Sequence, residues 1–339
     1  MRKLSSTNSL GREKPRIGVD LLGSDASPEI LLNSILTTYE QLNAEIDLVL
    51  FLKSEDLSSH IPSSISTVFV TEFVTMDDNP LIVLRKKKNS SMARGMDMLK
   101  SKEIDAFISA GNTGALMASA KTTLKMLKGI QRPALLTLIP AKGKEVAVLD
   151  VGATTDCKPS YLLQYAQMGI AYQRSRGIEN PIIGLLNVGS EAKKGTPQHR
   201  EAHLALQKFS QKFSYDVFKG NIEGRDIFKG PVDIVVTDGF TGNVFLKTAE
   251  GIAGFLLEEM LIAFQQVISP SKSLEETLLR CKKRLDYTEY PGALLCGVDG
   301  VVIKCHGNSL PKAISNTLIE AQQLIRHNFL ENVKAQLSL

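Results

Sequence analysis

The chain has 339 residues, 43% of them apolar and 22% charged, which suits a large α/β core built as one unit or two lobes and excludes a disordered or fibrous protein. A formal charge of +4, the lack of Trp and an aromatic content of 6% argue against nucleic acid as a partner. Cys157, Cys281, Cys296 and Cys305 make no C-x-x-C pair and no regular framework, so neither a metal nor a disulfide scaffold is expected, and a reduced, cytoplasmic setting fits.

Residues 1–14 are basic and Ser-rich but have no apolar stretch, and read as a disordered tail rather than a secretory signal. The first buried strand is expected at 16–20, turning at Gly23-Ser24-Asp25 into a helix with Pro28 in its first turn. Strands follow at 46–52 and 67–70. Asp78-Asn79-Pro80 then supplies an N-cap and first-turn proline for a helix carrying Arg85, Lys86, Lys87 and Lys88. A strand at 105–109 runs through Gly111-Asn112-Thr113-Gly114 into a helix at 115–127. Further strands are expected at 134–139, 146–150, 182–187, 232–237 and 301–305, and the turns after the last four carry Gly152, Gly189-Ser190, Asp238-Gly239 and His306-Gly307-Asn308-Ser309. Strands spaced by helical segments predict a doubly wound, largely parallel sheet, with 15–339 as a single α/β catalytic unit.

Residues 251–285 depart from this pattern. Ile252, Phe255, Leu256, Met260, Phe264 and Val267 recur at helical spacing, Ser269-Pro270-Ser271-Lys272 breaks the helix, and Ser273-Leu274-Glu275-Glu276 is a capping box for a second one bearing Arg280, Lys282, Lys283 and Arg284. This reads as a helical hairpin added to the sheet. Glu258 and Glu259 interrupt its apolar run, so it is not expected to span a bilayer.

Strand-to-helix turns of this kind point backbone N–H groups and helix N-termini into a crevice, an arrangement that holds anions. Gly111-Asn112-Thr113-Gly114 reads as such a cradle or as an ordinary capped turn, and Asp238-Gly239-Phe240-Thr241-Gly242-Asn243 as a cradle with an orienting carboxylate or as a helix cap. Asp156 reads as an N-cap, and Cys157, with no His and acid partner evident, as an inert thiol rather than a nucleophile. His306 is either a donor to a phosphate or leaving group or a histidine held by its own turn. His199 and His203, four apart, read as a surface helix face. No G-x-G-x-x-G after a strand, G-x-x-x-x-G-K-[ST] or G-x-S-x-G occurs, which disfavours a nucleotide-dependent dehydrogenase, a P-loop ATPase and a serine hydrolase, and no cofactor is expected.

Taken in order, several motifs resemble the bacterial phosphate acyltransferases of phospholipid synthesis, the PlsX family. They are Ile17-Gly18-Val19-Asp20-Leu21-Leu22-Gly23-Ser24-Asp25, Met76-Asp77-Asp78-Asn79-Pro80, Leu84-Arg85-Lys86-Lys87-Lys88, Ser109-Ala110-Gly111-Asn112-Thr113-Gly114-Ala115, Asp150-Val151-Gly152-Ala153 with Asp156-Cys157-Lys158-Pro159, Gly184-Leu185-Leu186-Asn187-Val188-Gly189-Ser190-Glu191, Asp238-Gly239-Phe240-Thr241-Gly242-Asn243 and His306-Gly307. The resemblance implies conversion of acyl-[acyl carrier protein] and inorganic phosphate to acyl phosphate and free carrier protein. It also implies a fold similar to phosphotransacetylases and to isocitrate and isopropylmalate dehydrogenases, and a homodimer. Where the family's first turn reads Gly-Gly-Asp-His-Ala-Pro, this chain has Gly23-Ser24-Asp25-Ala26-Ser27-Pro28, and His306-Gly307-Asn308-Ser309 replaces His-Gly-Ser-Ser.

On that footing, phosphate is expected on Gly23, Asp25, Asn112, Thr113, Gly114, Gly239, Gly242 and Asn243, with Asp238, Lys158 and His306 in catalytic roles. The acidic carrier protein is expected to dock on Arg85, Lys86, Lys87 and Lys88 or on the 280–284 cluster with Lys282, Lys283 and Arg284. The hairpin is expected to touch the inner face of the membrane or a membrane glycerol-phosphate acyltransferase. A phosphotransacylase using short acyl-coenzyme A and a non-enzymatic carrier- or membrane-binding scaffold are the alternatives.

Overall fold

The structure is a computed structural model that describes residues 13–43, 45–53, 55–265, 272–285, 290–305 and 311–338. His306, most of the expected tail and the break within the expected hairpin lie outside the described residues, as do the side chains of Lys282 and Arg284.

Eleven strands form one sheet: β1 (Arg16–Asp20), β2 (Asp47–Leu52), β3 (Ser66–Phe69), β4 (Ala106–Ser109), β5 (Ala134–Ala141), β6 (Lys144–Leu149), β7 (Ile183–Leu186), β8 (Phe218–Ile222), β9 (Ile234–Val236), β10 (Ala293–Cys296) and β11 (Val301–Lys304). Their order is β3-β2-β1-β4-β11-β10-β5-β6-β9-β7-β8. The helices are α1 (Pro28–Gln41), α2 (Pro80–Lys86), α3 (Ser91–Lys100), α4 (Thr113–Thr123), α5 (Pro159–Ser175), α6 (Pro197–Ser210), α7 (Gly224–Ile227), α8 (Gly239–Gln265), α9 (Lys272–Leu285), α10 (Pro311–Arg326) and α11 (Phe329–Leu337). Two apolar cores result, one on each sheet face. Leu31, Tyr165, Leu206, Ile314 and Phe329 bring α1, α5, α6, α10 and α11 to one face, and Val83, Met96, Leu116, Ile227 and Leu246 bring α2, α3, α4, α7 and α8 to the other.

The expected strands form, and Pro28 starts α1 as the sequence suggests, with Ser27 as its N-cap. Strand direction does not follow the simple βα alternation. β5 and β6 are an antiparallel hairpin through Lys142-Gly143, where Gly143 has φ +80°, a backbone shape that favours glycine. The short β10 is antiparallel to both of its neighbours. Each antiparallel pairing reverses direction, so β3, β2, β1, β4 and β11 run one way and β6, β9, β7 and β8 run the other.

Register shows what this reversal achieves. Ile108, Ile303, Leu294, Leu136, Leu149, Val236 and Leu185 are successive partners across the sheet. Ile108 and Ile303 stand one residue from the C-terminal ends of β4 and β11, while Leu149 and Val236 end β6 and β9. The two parallel blocks therefore meet with their C-terminal ends at one line. The turns expected to hold anions lie on both sides of that line rather than along a single edge, and the crevice rule for α/β sheets applies from both directions.

Candidate active site

On one side of the line, the turn after β4 is built from short side chains. Ser109 Oγ donates to Asp20 Oδ2 at 3.0 Å and accepts from Gly111 N at 3.1 Å, while Leu22 N donates to Asp20 Oδ1 at 3.0 Å. Burial outweighs these bonds and raises the Asp20 pKa to about 6. Gly23 has φ +72°, and a Cβ there would stand 2.0 Å from the Val74 carbonyl oxygen, so only glycine fits. Asn112 is the N-cap of α4, its Oδ1 accepting from Ala115 N at 3.0 Å. Its Nδ2 donates to the carbonyls of Met76 at 2.8 Å and Asp78 at 3.1 Å, which ties the 75–78 loop to the helix start. With that side chain occupied, the groups at this turn left to donate are the first-turn N–H groups of Thr113 and Gly114, which have no intrahelical acceptor, and the Thr113 side chain.

Across the line, Asp150 follows β6. Its Oδ1 accepts from the N–H groups of Leu135 (2.9 Å), Gly152 (3.1 Å) and Ala153 (2.9 Å), folding the 150–153 turn around the carboxylate. Asp238 caps α8: Oδ1 accepts from Thr241 N at 2.9 Å and Oδ2 from Thr241 Oγ1 at 2.7 Å. Because α8 begins at Gly239, the expected Gly239–Asn243 cradle is the first turn of a helix. Gly239 N donates to the Thr154 carbonyl and Gly242 N to the Asp238 carbonyl, so this N-terminus is largely satisfied internally. The two glycines serve close packing. A Cβ on Gly239 would stand 2.6 Å from Asp150 Oδ2, and one on Gly242 would stand 1.9 Å from the Asp150 carbonyl oxygen.

Between the two sides lies a cleft of about 640 Å³. Thr113, Gly152, Asn243, Lys247 and Lys304 line its polar end. Lys304, the last residue of β11, is 7% exposed, and its ammonium donates to the carbonyls of Ala110 at 3.2 Å and of Cys305. Burial pulls its pKa down to about 8, against the opposing pull of Cys305 and Asp25, while Lys247 adds to the lowering. From the sequence, Lys304 is expected within the buried strand at 301–305. The available signal was a cation ending the apolar run Val-Val-Ile, which requires a polar destination at the strand end.

From this polar end the cleft continues along β5 as an apolar trough, floored by Leu135, Thr137 and Ile139 and walled by Leu246, Ala249 and Ala253 of α8. Phe228, tilted against Phe245, stands at its far end. Leu135 to Pro140 spans about 17 Å at strand rise.

Of the residues expected to bind phosphate, Thr113 and Asn243 line the cleft, while Gly23, Asn112, Gly114, Gly239 and Gly242 shape the turns around it. Asp25 reaches the site electrostatically through Lys304. Lys158 is an exposed residue at the N-cap of α5 and does not line the cleft. Cys157 is pushed up to about 12, first by burial and then by Asp238 and Asp150, so its thiol stays protonated as an inert thiol should. The expected surface pair His199 and His203 is half corrected: His203 is buried, bonded to Asn221 Oδ1 at 3.0 Å and packed on Phe218, because the α6 face it shares with Leu206 points inward. Arg85, Lys86 and Lys88 are exposed. Lys87 is not a free docking cation, since it pairs with Asp78 and donates to the Phe73 carbonyl at 3.0 Å. Lys283 on α9 is exposed.

A central, mostly parallel sheet whose opposed halves meet at a cleft gives an α/β fold of the phosphotransacetylase type. A phosphotransacetylase from Staphylococcus aureus superposes with TM-score 0.61 at 14% identity, covering 97% of this chain and 96% of that one. One from Streptococcus pyogenes superposes at 0.58 and 15%, covering 91% and 94%. The family described as "Fatty acid synthesis protein" matches residues 15–332. The phosphate acyltransferase of Chlamydia caviae is 41% identical over 331 residues, 95% of this chain and 99% of that protein. That of Macrococcus caseolyticus is 39% identical over 329 residues, 95% and 99%. The chain belongs to the phosphate acyltransferase family, the PlsX family, and is an acyltransferase of lipid synthesis.

Proposed function

We propose that this phosphate acyltransferase takes its acyl group from the thioester of an acyl carrier protein and delivers it to inorganic phosphate. The observation that carries this reading is the shape of the cleft: a cationic, N–H-rich end opens directly into an apolar trough long enough for a fatty chain. A phosphate held at Thr113 and Gly114, beside Asn243, sits where its oxygen attacks the carbonyl carbon of an acyl group laid along β5. The new C–O bond forms as the carbonyl electron pair moves to oxygen, and collapse expels the carrier's thiolate, which takes up a proton. Phosphate is itself the nucleophile, so catalysis rests on positioning and charge stabilisation. Asp238 contributes by fixing the start of α8, and His306 remains the proposed aid to oxyanion and leaving sulfur, whereas Lys158, outside the cleft, is not assigned that role.

Arg85, Lys86 and Lys88, exposed on and just after α2, form the docking surface for the acidic carrier, with Lys283 and its neighbours Lys282 and Arg284 as the second basic surface. The protein acts in the cytoplasm as a homodimer, with 15–339 as its catalytic unit. Support for a partner surface comes from α8, where Ile252, Phe255, Leu256, Leu261 and Ile262 are each at least 41% exposed. Apolar exposure on that scale along one helix suits a second copy or the inner membrane face, where a membrane glycerol-phosphate acyltransferase would receive the product.

Incubating the protein with phosphate and either palmitoyl-carrier protein or acetyl-coenzyme A tests the reading. Acyl phosphate is expected from the first donor, and its formation from acetyl-coenzyme A alone would favour a short-chain phosphotransacylase instead. In the same assay, reversing Arg85, Lys86 and Lys88 to Glu should raise KM for the carrier thioester with kcat little changed, and an unchanged KM would remove that docking surface.

A further inference from the structure

Lys304 poses a question that the fold does not answer by itself. A buried ammonium is costly unless paired. Among the described residues Lys304 makes no ion pair, and only two of its three N–H donors are used, both on backbone carbonyls. Its surroundings are set by three elements. The turn after β1 brings Asp25, which is exposed. α8 brings Lys247, whose ammonium bonds Glu250 at 2.7 Å. The residue after β11 brings the buried thiol of Cys305. None of these lies within ion-pair distance of Lys304. Its remaining donor belongs to a side chain that lines the cleft, and the Ala110 carbonyl it bonds lies two residues before the N-cap of α4.

We infer that Lys304 is a phosphate-binding residue, and that the dianion held at the start of α4 is the counter-ion which none of the described residues supplies to this buried lysine. The inference rests on the phosphate reading above and adds a residue to it. Ligand and lysine each supply what the other needs: phosphate gains a cation in a water-poor site, and the ammonium gains the charge that burial denies it.

The test uses the full chain and inorganic phosphate. Phosphate should raise the melting temperature of the wild type, and Lys304→Met should abolish that rise. The variant should fold at least as stably without phosphate, since an unpaired buried cation is replaced by an apolar chain of similar length. Its KM for phosphate should rise roughly 100-fold while KM for the acyl donor stays within about threefold. In the wild type, where no variant has to fold, kcat/KM for phosphate should fall as pH rises through about 8, where Lys304 loses its proton, and kcat/KM for the acyl donor should not follow it. Lys304→Arg should move that fall to higher pH.

A Lys304→Met protein with a wild-type phosphate shift and phosphate KM overturns the assignment while leaving the acyl-phosphate reading in place. A wild type that neither responds to phosphate nor forms acyl phosphate overturns both.

Discussion

Asp150 carries three backbone N–H groups on Oδ1, while its buried Oδ2 has no hydrogen-bond partner among the described residues. Desolvation outweighs the three bonds and raises its pKa from 3.8 to about 6. A carboxyl raised in this way binds its proton more tightly folded than unfolded, so its contribution to stability is present at low pH and is lost as pH climbs from 3.8 to about 6. Asp150→Asn keeps the acceptor for the three N–H groups and removes the charge. Urea titrations should find it more stable than the wild type above pH 6, by up to about 3 kcal/mol, and free of that loss. Asp150→Ala should instead lose about 3 kcal/mol or more, because it orphans all three donors. The 150–153 turn lines the cleft through Val151 and Gly152, so the alanine variant should also lower kcat. Legibility differs sharply between residues here. Gly23 and the Asn112 cap are readable from residue type, because backbone sterics and capping are local. That no described residue forms an ion pair with Lys304 is not, since it depends on what β4 and α8 place beside it.

Helix α8 shows how one element serves two purposes. Its first turn packs on the 150–154 segment so closely that Gly242 faces the Asp150 carbonyl oxygen, and relief would require moving backbone. Farther along, a Cβ on Gly251 or Gly254 meets nothing within 4 Å. Gly242→Ala should therefore destabilise by about 3 kcal/mol or prevent folding. Gly251→Ala in the exposed helix interior should stabilise by up to about 1 kcal/mol. Thermal unfolding of the pair checks both, and a neutral Gly242→Ala would show that α8 can shift relative to β6. The apolar spacing of residues 252–264 is legible as a helix, but the same spacing serves a core, a dimer or a membrane face equally well.

At the scale of the whole molecule, α8 is 27 residues long, about 40 Å at helical rise, and much of its second half is apolar and exposed. Among the described residues no helix is long and apolar enough to cross a membrane. Replacing Phe255 and Ile262 together by Glu should leave the fold intact, since both side chains are already in solvent. Sedimentation should then show a shift from dimer to monomer, and liposome flotation a loss of any membrane-bound fraction. If neither changes, this face has no partner.

The sequence by itself determined nine of the eleven strands, though not β8 or the short β10, together with turns such as that at Gly23 and Asn112, because periodicity, capping and steric limits act over a few residues. Tertiary structure alone decided that the sheet reverses across β11, β10, β5 and β6, and so brings the C-terminal ends of two opposed blocks to one line. That reversal rests on pairings between residues far apart in the chain, such as Leu136 with Leu294, which no local pattern encodes. The same long-range pairing places Thr113, Asn243, Lys247 and Lys304 around one cleft, with an apolar trough leading from it.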